Sequence, residues 1–191
     1  FFLIDQEDDF IIRYDLKLPW HLGRNEMDVD ITKAKVVKFS TIGGDETVKA
    51  PSSTDPNGIF WSPDGNRMWV IDGASATATP KQGQSIFQYH TTGSKWDPAS
   101  LEYECMVKLR ASADAGTAAD YRGIHFSPDG SKLYLMADTG NAYIEEYRLK
   151  QNWNLKYFDY QDYTTFPIPS SLDTDPRGIY FRPDNKGWFY I

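Results

Sequence analysis

Three near-copies of one phrase divide this chain: Gly58-Ile-Phe-Trp-Ser-Pro-Asp-Gly65, Gly123-Ile-His-Phe-Ser-Pro-Asp-Gly130 and Gly178-Ile-Tyr-Phe-Arg-Pro-Asp-Asn185. Their leading glycines, at 58, 123 and 178, fall 65 and then 55 residues apart, and such recurrence marks a chain built from repeated supersecondary units. Each copy reads as an apolar strand, a tight turn and a second apolar strand: Ile59 to Ser62 then Met68 to Ile71, and Ile124 to Ser127 then Leu133 to Met136. Pro presets the first turn position, and Gly (Asn185 in the third copy) accepts positive φ. A third strand rich in aromatic and branched residues is expected at Ile11 to Tyr14, Ser85 to Tyr89 and Ala142 to Tyr147. Tyr14, Tyr89 and Tyr147 are followed within a short polar stretch by Trp20, Trp96 and Trp153. Fourth strands are expected at Ala34 to Phe39, Tyr103 to Leu109 and Tyr157 to Tyr163, and no segment carries a sustained helical period.

Four short antiparallel strands per repeat describe an all-β chain of the β-propeller class, in which each four-stranded blade packs its face on the next. Unrelated strands of a β-sandwich would not share the Gly-Ile, Pro-Asp and Tyr-to-Trp landmarks in one order. Aligning Phe1-Phe-Leu-Ile-Asp5 with Met68-Trp-Val-Ile-Asp72 divides residues 1–191 into approximate repeats 1–67, 68–132 and 133–187, with a cut blade at each end. Repeats of this class usually run roughly 40 to 50 residues, so the spacing implies loop insertions. Propellers close with about four to eight blades. The expectation is an incomplete ring: a fragment of a larger propeller, or a member of an assembly that completes the ring in trans.

The chain of 191 residues is 40% apolar and 15% aromatic, a composition of folded rather than disordered proteins. Its apolar stretches are strand-sized, too short for a membrane helix. A net charge of −7 argues against a nucleic-acid groove, which needs a basic face to displace counterions from phosphate. The lone Cys105 sits in the apolar strand Tyr103-Glu-Cys-Met-Val and reads as a small buried hydrophobe with no internal disulfide partner. His21, His90 and His125 occupy three different repeat positions without metal-ligand spacing. There is no nucleophile elbow, phosphate loop or dinucleotide fingerprint.

Carboxylates form the more informative set. Asp55, Asp120 and Asp175 each stand three residues before the glycine of the inner strand, and Asp5, Asp72 and Asp138 close the second strand. In an up-and-down sheet, the loop approaching strand one and the loop leaving strand two lie at one end, the expected working face. Turn aspartates commonly accept backbone hydrogen bonds, and repetition in every unit fits that bracing role. The third residue of the approach varies instead: Asn57, Arg122 and Arg177. These side chains either grip a carboxylate or sulfated sugar in bidentate fashion or pair with the neighbouring aspartates. The candidate binding residues are therefore Asn57, Arg122, Arg177, Asp55, Asp120 and Asp175. Asp5, Asp72 and Asp138 are the weaker metal candidates. Asp5-Gln-Glu-Asp-Asp9 offers oxygen ligands for calcium but lacks the spaced Asp-x-Asp-x-Asp-Gly pattern, so no cofactor is expected unless calcium binds there. Segments 40–57, 73–84, 111–122 and 163–177 are the loops where a partner is expected. Tyr160, Tyr163 and Phe166 either stack on sugar rings or cap a sheet edge.

The Ser-Pro-Asp-Gly phrases resemble the WD-like propeller repeats of the TolB type. The fuller pattern, Tyr14-Asp-Leu-x-x-x-Trp20 followed by Pro56-x-Gly-Ile-x-x-x-Pro-Asp-Gly65, is similar to propeller-repeat proteins of tailed bacterial viruses, including marine and cyanobacterial ones. That resemblance implies a non-enzymatic structural or host-recognition component of a virion or tail, or an extracellular one. Its partners would be protein subunits of a larger assembly or a surface glycan, with no nucleic acid and no membrane insertion. The alternatives are a propeller-class hydrolase or lyase using channel-mouth carboxylates, and an intracellular protein-interaction scaffold presenting a flat apolar patch. Trp20-His21 and Trp153-Asn154 depart from the group's Trp-Asp, which Trp96-Asp97 keeps.

Overall fold

A computed structural model of the chain describes residues 1–5, 8–16, 29–43, 56–72, 84–109, 120–138, 142–172, 176–182 and 189–190. These form thirteen strands: β1 (Phe2–Asp5), β2 (Phe10–Leu16), β3 (Val29–Lys38), β4 (Pro56–Trp61), β5 (Arg67–Asp72), β6 (Ser85–Thr91), β7 (Leu101–Lys108), β8 (Asp120–Phe126), β9 (Lys132–Asp138), β10 (Tyr143–Arg148), β11 (Tyr163–Pro167), β12 (Tyr180–Phe181) and β13 (Phe189–Tyr190). All pair with antiparallel neighbours, as β1-β2-β3, β4-β5-β6-β7, β8-β9-β10-β11 and β12-β13. Among the described residues the chain is all-β, broken only by short 3-10 turns at Phe39–Thr41 and Pro98–Ser100. No described helix is long and apolar enough to cross a membrane.

The fourth strand of the third unit departs from expectation. It runs over Tyr163–Pro167, not Tyr157 to Tyr163. Residues 157–162 turn instead, because Asp159 accepts the Gln161 amide at 3.1 Å and the Lys150 ammonium at 3.2 Å. Such local side-chain bonds compete with a sheet ladder. Tyr163 then packs on Tyr147, ring centres 5.5 Å apart, while Tyr160 and Phe166 stay exposed.

The repeated phrase folds alike in the second and third sheets. The Ser62 hydroxyl donates to Asp64 at 2.6 Å and accepts the Arg67 amide at 2.9 Å. Ser127, Asp129 and Lys132 reproduce both bonds at 2.6 and 2.9 Å. Asp64 and Asp129 also accept the amides of Asn66 and Ser131. The Ser127 hydroxyl and the Ser131 donors hold the Asp129 carboxyl down to about 2. Gly65 and Gly130 adopt φ of +71°. Over each lies the tryptophan that follows the third strand, whose amide donates to the glycine carbonyl: Trp96 to Gly65 at 3.0 Å and Trp153 to Gly130 at 2.9 Å. A Cβ on either glycine would stand 2.3 Å from the indole. The Tyr-to-Trp landmark is therefore a clasp that returns the third-to-fourth-strand loop onto the hairpin turn.

The residue after each tryptophan is a cap. Asp97 accepts the Ala99 amide at 3.1 Å, and Asn154 accepts the Lys156 amide at 2.8 Å. Asn thus replaces Asp without loss of the cap. Asp97 also pairs with Lys35 of the first sheet at 2.6 Å.

The sheets pack face to face, burying three apolar layers. Met68, Val70, Phe87 and Tyr89 of the second sheet meet Ile11, Phe2 and Ile4 of the first. Its other face, with Trp69, Ile71 and Ile86, meets Leu133, Leu135, Ala137 and Tyr147 of the third. Met136 and Ile144 on the far side of the third meet Ile179 and Phe181. Glycines let the innermost strands approach. A Cβ on Gly58 would lie 2.9 Å from the Arg122 carbonyl oxygen of β8, and one on Gly123 would lie 3.0 Å from the Ile179 amide. At Gly178 no described atom lies within 4 Å of that position. Leu3, at the place Val70 and Leu135 hold in their sheets, is 48% exposed, whereas they are 1% and 0% exposed. Among the described residues, the outer faces of the first and last sheets are uncovered.

Candidate functional site at the approach end

Strand register fixes which residues share an end. Pro56 lies opposite Asp72 and Asp120 opposite Asp138, so the approach to each inner strand and the exit from its neighbour stand together, as expected. Asp5, Asp72 and Asp138 end β1, β5 and β9, as expected, though not at equivalent register. Gly58 pairs with Ile71 and Gly123 with Met136, while Pro56 pairs with Asp72 and Tyr121 with Ala137. The counterpart of Asp72 is therefore Ala137, and Asp138 sits one register position further on. The closing residues of β5 and β9 thus differ by one register position.

At this end the inner strands enclose a cavity of about 610 Å³. Phe2, Leu3 and Ile4, Pro56 to Ile59, Asp120 with Arg122 to Ile124, and Arg177 to Ile179 line it. Its walls come from the first three sheets and from Arg177 to Ile179, just before β12, and Gly58, Gly123 and Gly178 all line it. Of the candidate binding residues, the fold brings Asn57, Asp120, Arg122 and Arg177 together. Asp55 and Asp175 lie outside the described residues, as do most of segments 40–57, 73–84 and 111–122. Of the weaker metal candidates, Asp5 accepts the Asp8 amide at 3.2 Å. Asp72 and Asp138 end β5 and β9. No three His, Cys, Asp or Glu side chains gather as a metal-ligand set among the described residues.

Asp120 is a hub. Arg122 reaches its Oδ2 through Nε at 2.8 Å and Nη2 at 2.6 Å. Gln84 Nε2 donates to Oδ1 at 3.1 Å and Asn57 Nδ2 to the same atom at 3.5 Å. Gln84 turns its own Oε1 to the Tyr121 amide at 2.5 Å, and Asn57 also reaches the Tyr121 carbonyl at 3.4 Å. Arg122 thus braces the approach aspartate; Arg177, exposed, lines the same cavity. Asn57 and Gln84 join the second sheet to the third at this rim. Gln84 was hidden in the sequence because it closes a small polar loop, with only its place before the third strand to mark it.

The other titratable groups serve packing. His125 is buried between Phe60 (4.8 Å) and Tyr180 (5.4 Å), its Nδ1 is 2.8 Å from the Phe126 carbonyl, and burial holds its pKa below the usual value. Burial pushes the Cys105 thiol up to about 11. Glu145 is a second unforeseen residue. It is buried between the second and third sheets, where the hydroxyls of Tyr121 (2.9 Å) and Tyr147 (2.6 Å) both donate to its Oε2. Its position was readable: aligning Tyr147 with Tyr89 places Glu145 where the other unit has Phe87.

No family model, curated protein or solved structure matches this chain.

Proposed function

We propose that the chain is part of a β-propeller and works as a non-enzymatic recognition or structural module, virion- or tail-associated or otherwise extracellular. It presents the approach end to a protein subunit or to a glycan bearing carboxylate or sulfate groups. The observation that carries this reading is the convergence of Asn57, Arg122 and Arg177, from three successive units, on one cavity that Gly58, Gly123 and Gly178 also line. Face-to-face packing of like sheets and abutment of inner strands at Gly58 and Gly123 support the propeller arrangement. Long insertions between repeats, and the sequence likeness to viral propeller repeats, support a recognition role. A hydrolase or lyase reading draws less support, because donors from Arg122, Gln84 and Asn57 occupy both oxygens of Asp120.

Titration with oligogalacturonate, a carboxylated glycan, tests the reading. Binding is expected to weaken as salt rises, and Arg177→Ala is expected to lower affinity about tenfold, the scale of one lost charge-assisted hydrogen bond. Comparing the urea midpoints of Arg177→Ala and the parent separates lost binding from lost stability. Binding unchanged by Arg177→Ala contradicts an anion site at this cavity.

A further inference from the structure

We propose that a second cavity, at the turn end between the second and third sheets, binds a neutral saccharide. It measures about 570 Å³, within the range of small-molecule sites. Because β5 runs from its Arg67 rim to Asp72 at the approach end, the two cavities lie at opposite ends of the sheets. The new site does not depend on the anion-binding reading.

Its polar groups are of both kinds and stand side by side. Glu104 is fixed through Oε2 by Arg67 Nε at 3.2 Å and Gln88 Nε2 at 2.8 Å. Among the described residues no hydrogen bond engages its Oε1 or the terminal nitrogens of Arg67. His90 also lines the cavity, with its Nε2 4.0 Å from Glu102. An anion placed here meets Glu104 and a cation meets Arg67. A hydroxyl both donates and accepts, so neighbouring hydroxyls of one sugar satisfy Glu104 and Arg67 together. Pro63, Pro128 and the half-buried Trp153 supply the apolar wall that the C–H face of a pyranose requires. The clasp holding Trp153 on Gly130 keeps that wall in place without a ligand.

Nuclear magnetic resonance titration of the isotope-labelled chain tests the proposal, with the methyl glycosides of glucose, galactose, mannose and N-acetylglucosamine as probes and glucuronate and glucosamine as charged comparisons. At least one neutral glycoside is expected to shift the Trp153 indole and His90 signals saturably. Glu104→Gln and Arg67→Gln should each lower its affinity tenfold or more, and Arg177→Ala should leave it unchanged. If one of these two variants fails to fold, as its spectrum will show, the other decides. The proposal is overturned if no neutral glycoside saturates these signals by 100 mM (roughly the weakest specific affinity worth the name), if the folded variants retain parental affinity, or if a charged sugar binds more tightly.

Discussion

Gly130→Val should destabilise the protein by about 3 kcal/mol or more, the largest loss expected from a single surface-turn substitution. Two costs combine. Gly130 holds φ of +71°, which costs a β-branched residue roughly 1–2 kcal/mol. Its Cβ would also stand 2.3 Å from the Trp153 indole, and overpacking of this kind costs about 1–3 kcal/mol. The indole cannot simply withdraw, since it packs against Phe126 at 5.5 Å and Trp69 at 6.0 Å. For a chain of this size, 1 kcal/mol shifts the thermal midpoint by roughly 2–4 °C, so circular-dichroism melting should show a fall near 10 °C. A Gly130→Val protein melting within 2 °C of the parent (the shift expected of roughly 1 kcal/mol or less) contradicts the clasp.

Glu145→Ala should cost about 3 kcal/mol in urea unfolding. The substitution leaves the Tyr121 and Tyr147 hydroxyls, both in buried residues, without the acceptor they share, and each orphaned buried donor costs about 1–3 kcal/mol. Register adds a sharper expectation. Leu135 lies opposite Glu145 as Val70 lies opposite Phe87, so this position is apolar in the neighbouring unit. Replacing the whole network, with Glu145→Phe, Tyr121→Phe and Tyr147→Phe together, should recover much of the loss, as replacement of other buried polar clusters by packed hydrophobes has done. Equal losses in the single and triple variants would assign the cost to packing alone.

How far the sequence discloses this molecule depends on the kind of bond concerned. The hairpins are legible because their Ser and Asp side chains act locally, Ser62 bonding Asp64 and the Arg67 amide within five residues of itself. The Tyr-to-Trp landmark is visible, but its purpose is not, since Trp153 closes on a glycine 23 residues earlier in the chain. Tyr157 to Asp162 misleads because its aromatic residues suggest a strand while Asp159 builds a turn. At the approach end, spacing alone predicts that Asn57, Arg122 and Arg177 share one place. That Arg122 braces depends on Asp120, which Gln84, 36 residues away, also holds through packing of the second sheet on the third. The turn-end cavity is less legible still, for His90, Glu104 and Trp153 belong to no common motif.

Successive sheets stack with their inner strands abutting at the repeated glycine, and that stacking gathers the approach-end residues around one cavity. The most direct measurement is the difference in urea midpoint between Gly123→Ala and Gly178→Ala. A Cβ at 123 meets backbone at 3.0 Å while one at 178 meets nothing within 4 Å among the described residues. Gly123→Ala should therefore lose about 1–3 kcal/mol to overpacking. Gly178→Ala should be neutral or gain a few tenths to about 1 kcal/mol by restricting the unfolded chain. Equal effects at the two positions, or a more stable Gly123→Ala, would contradict the stacked arrangement.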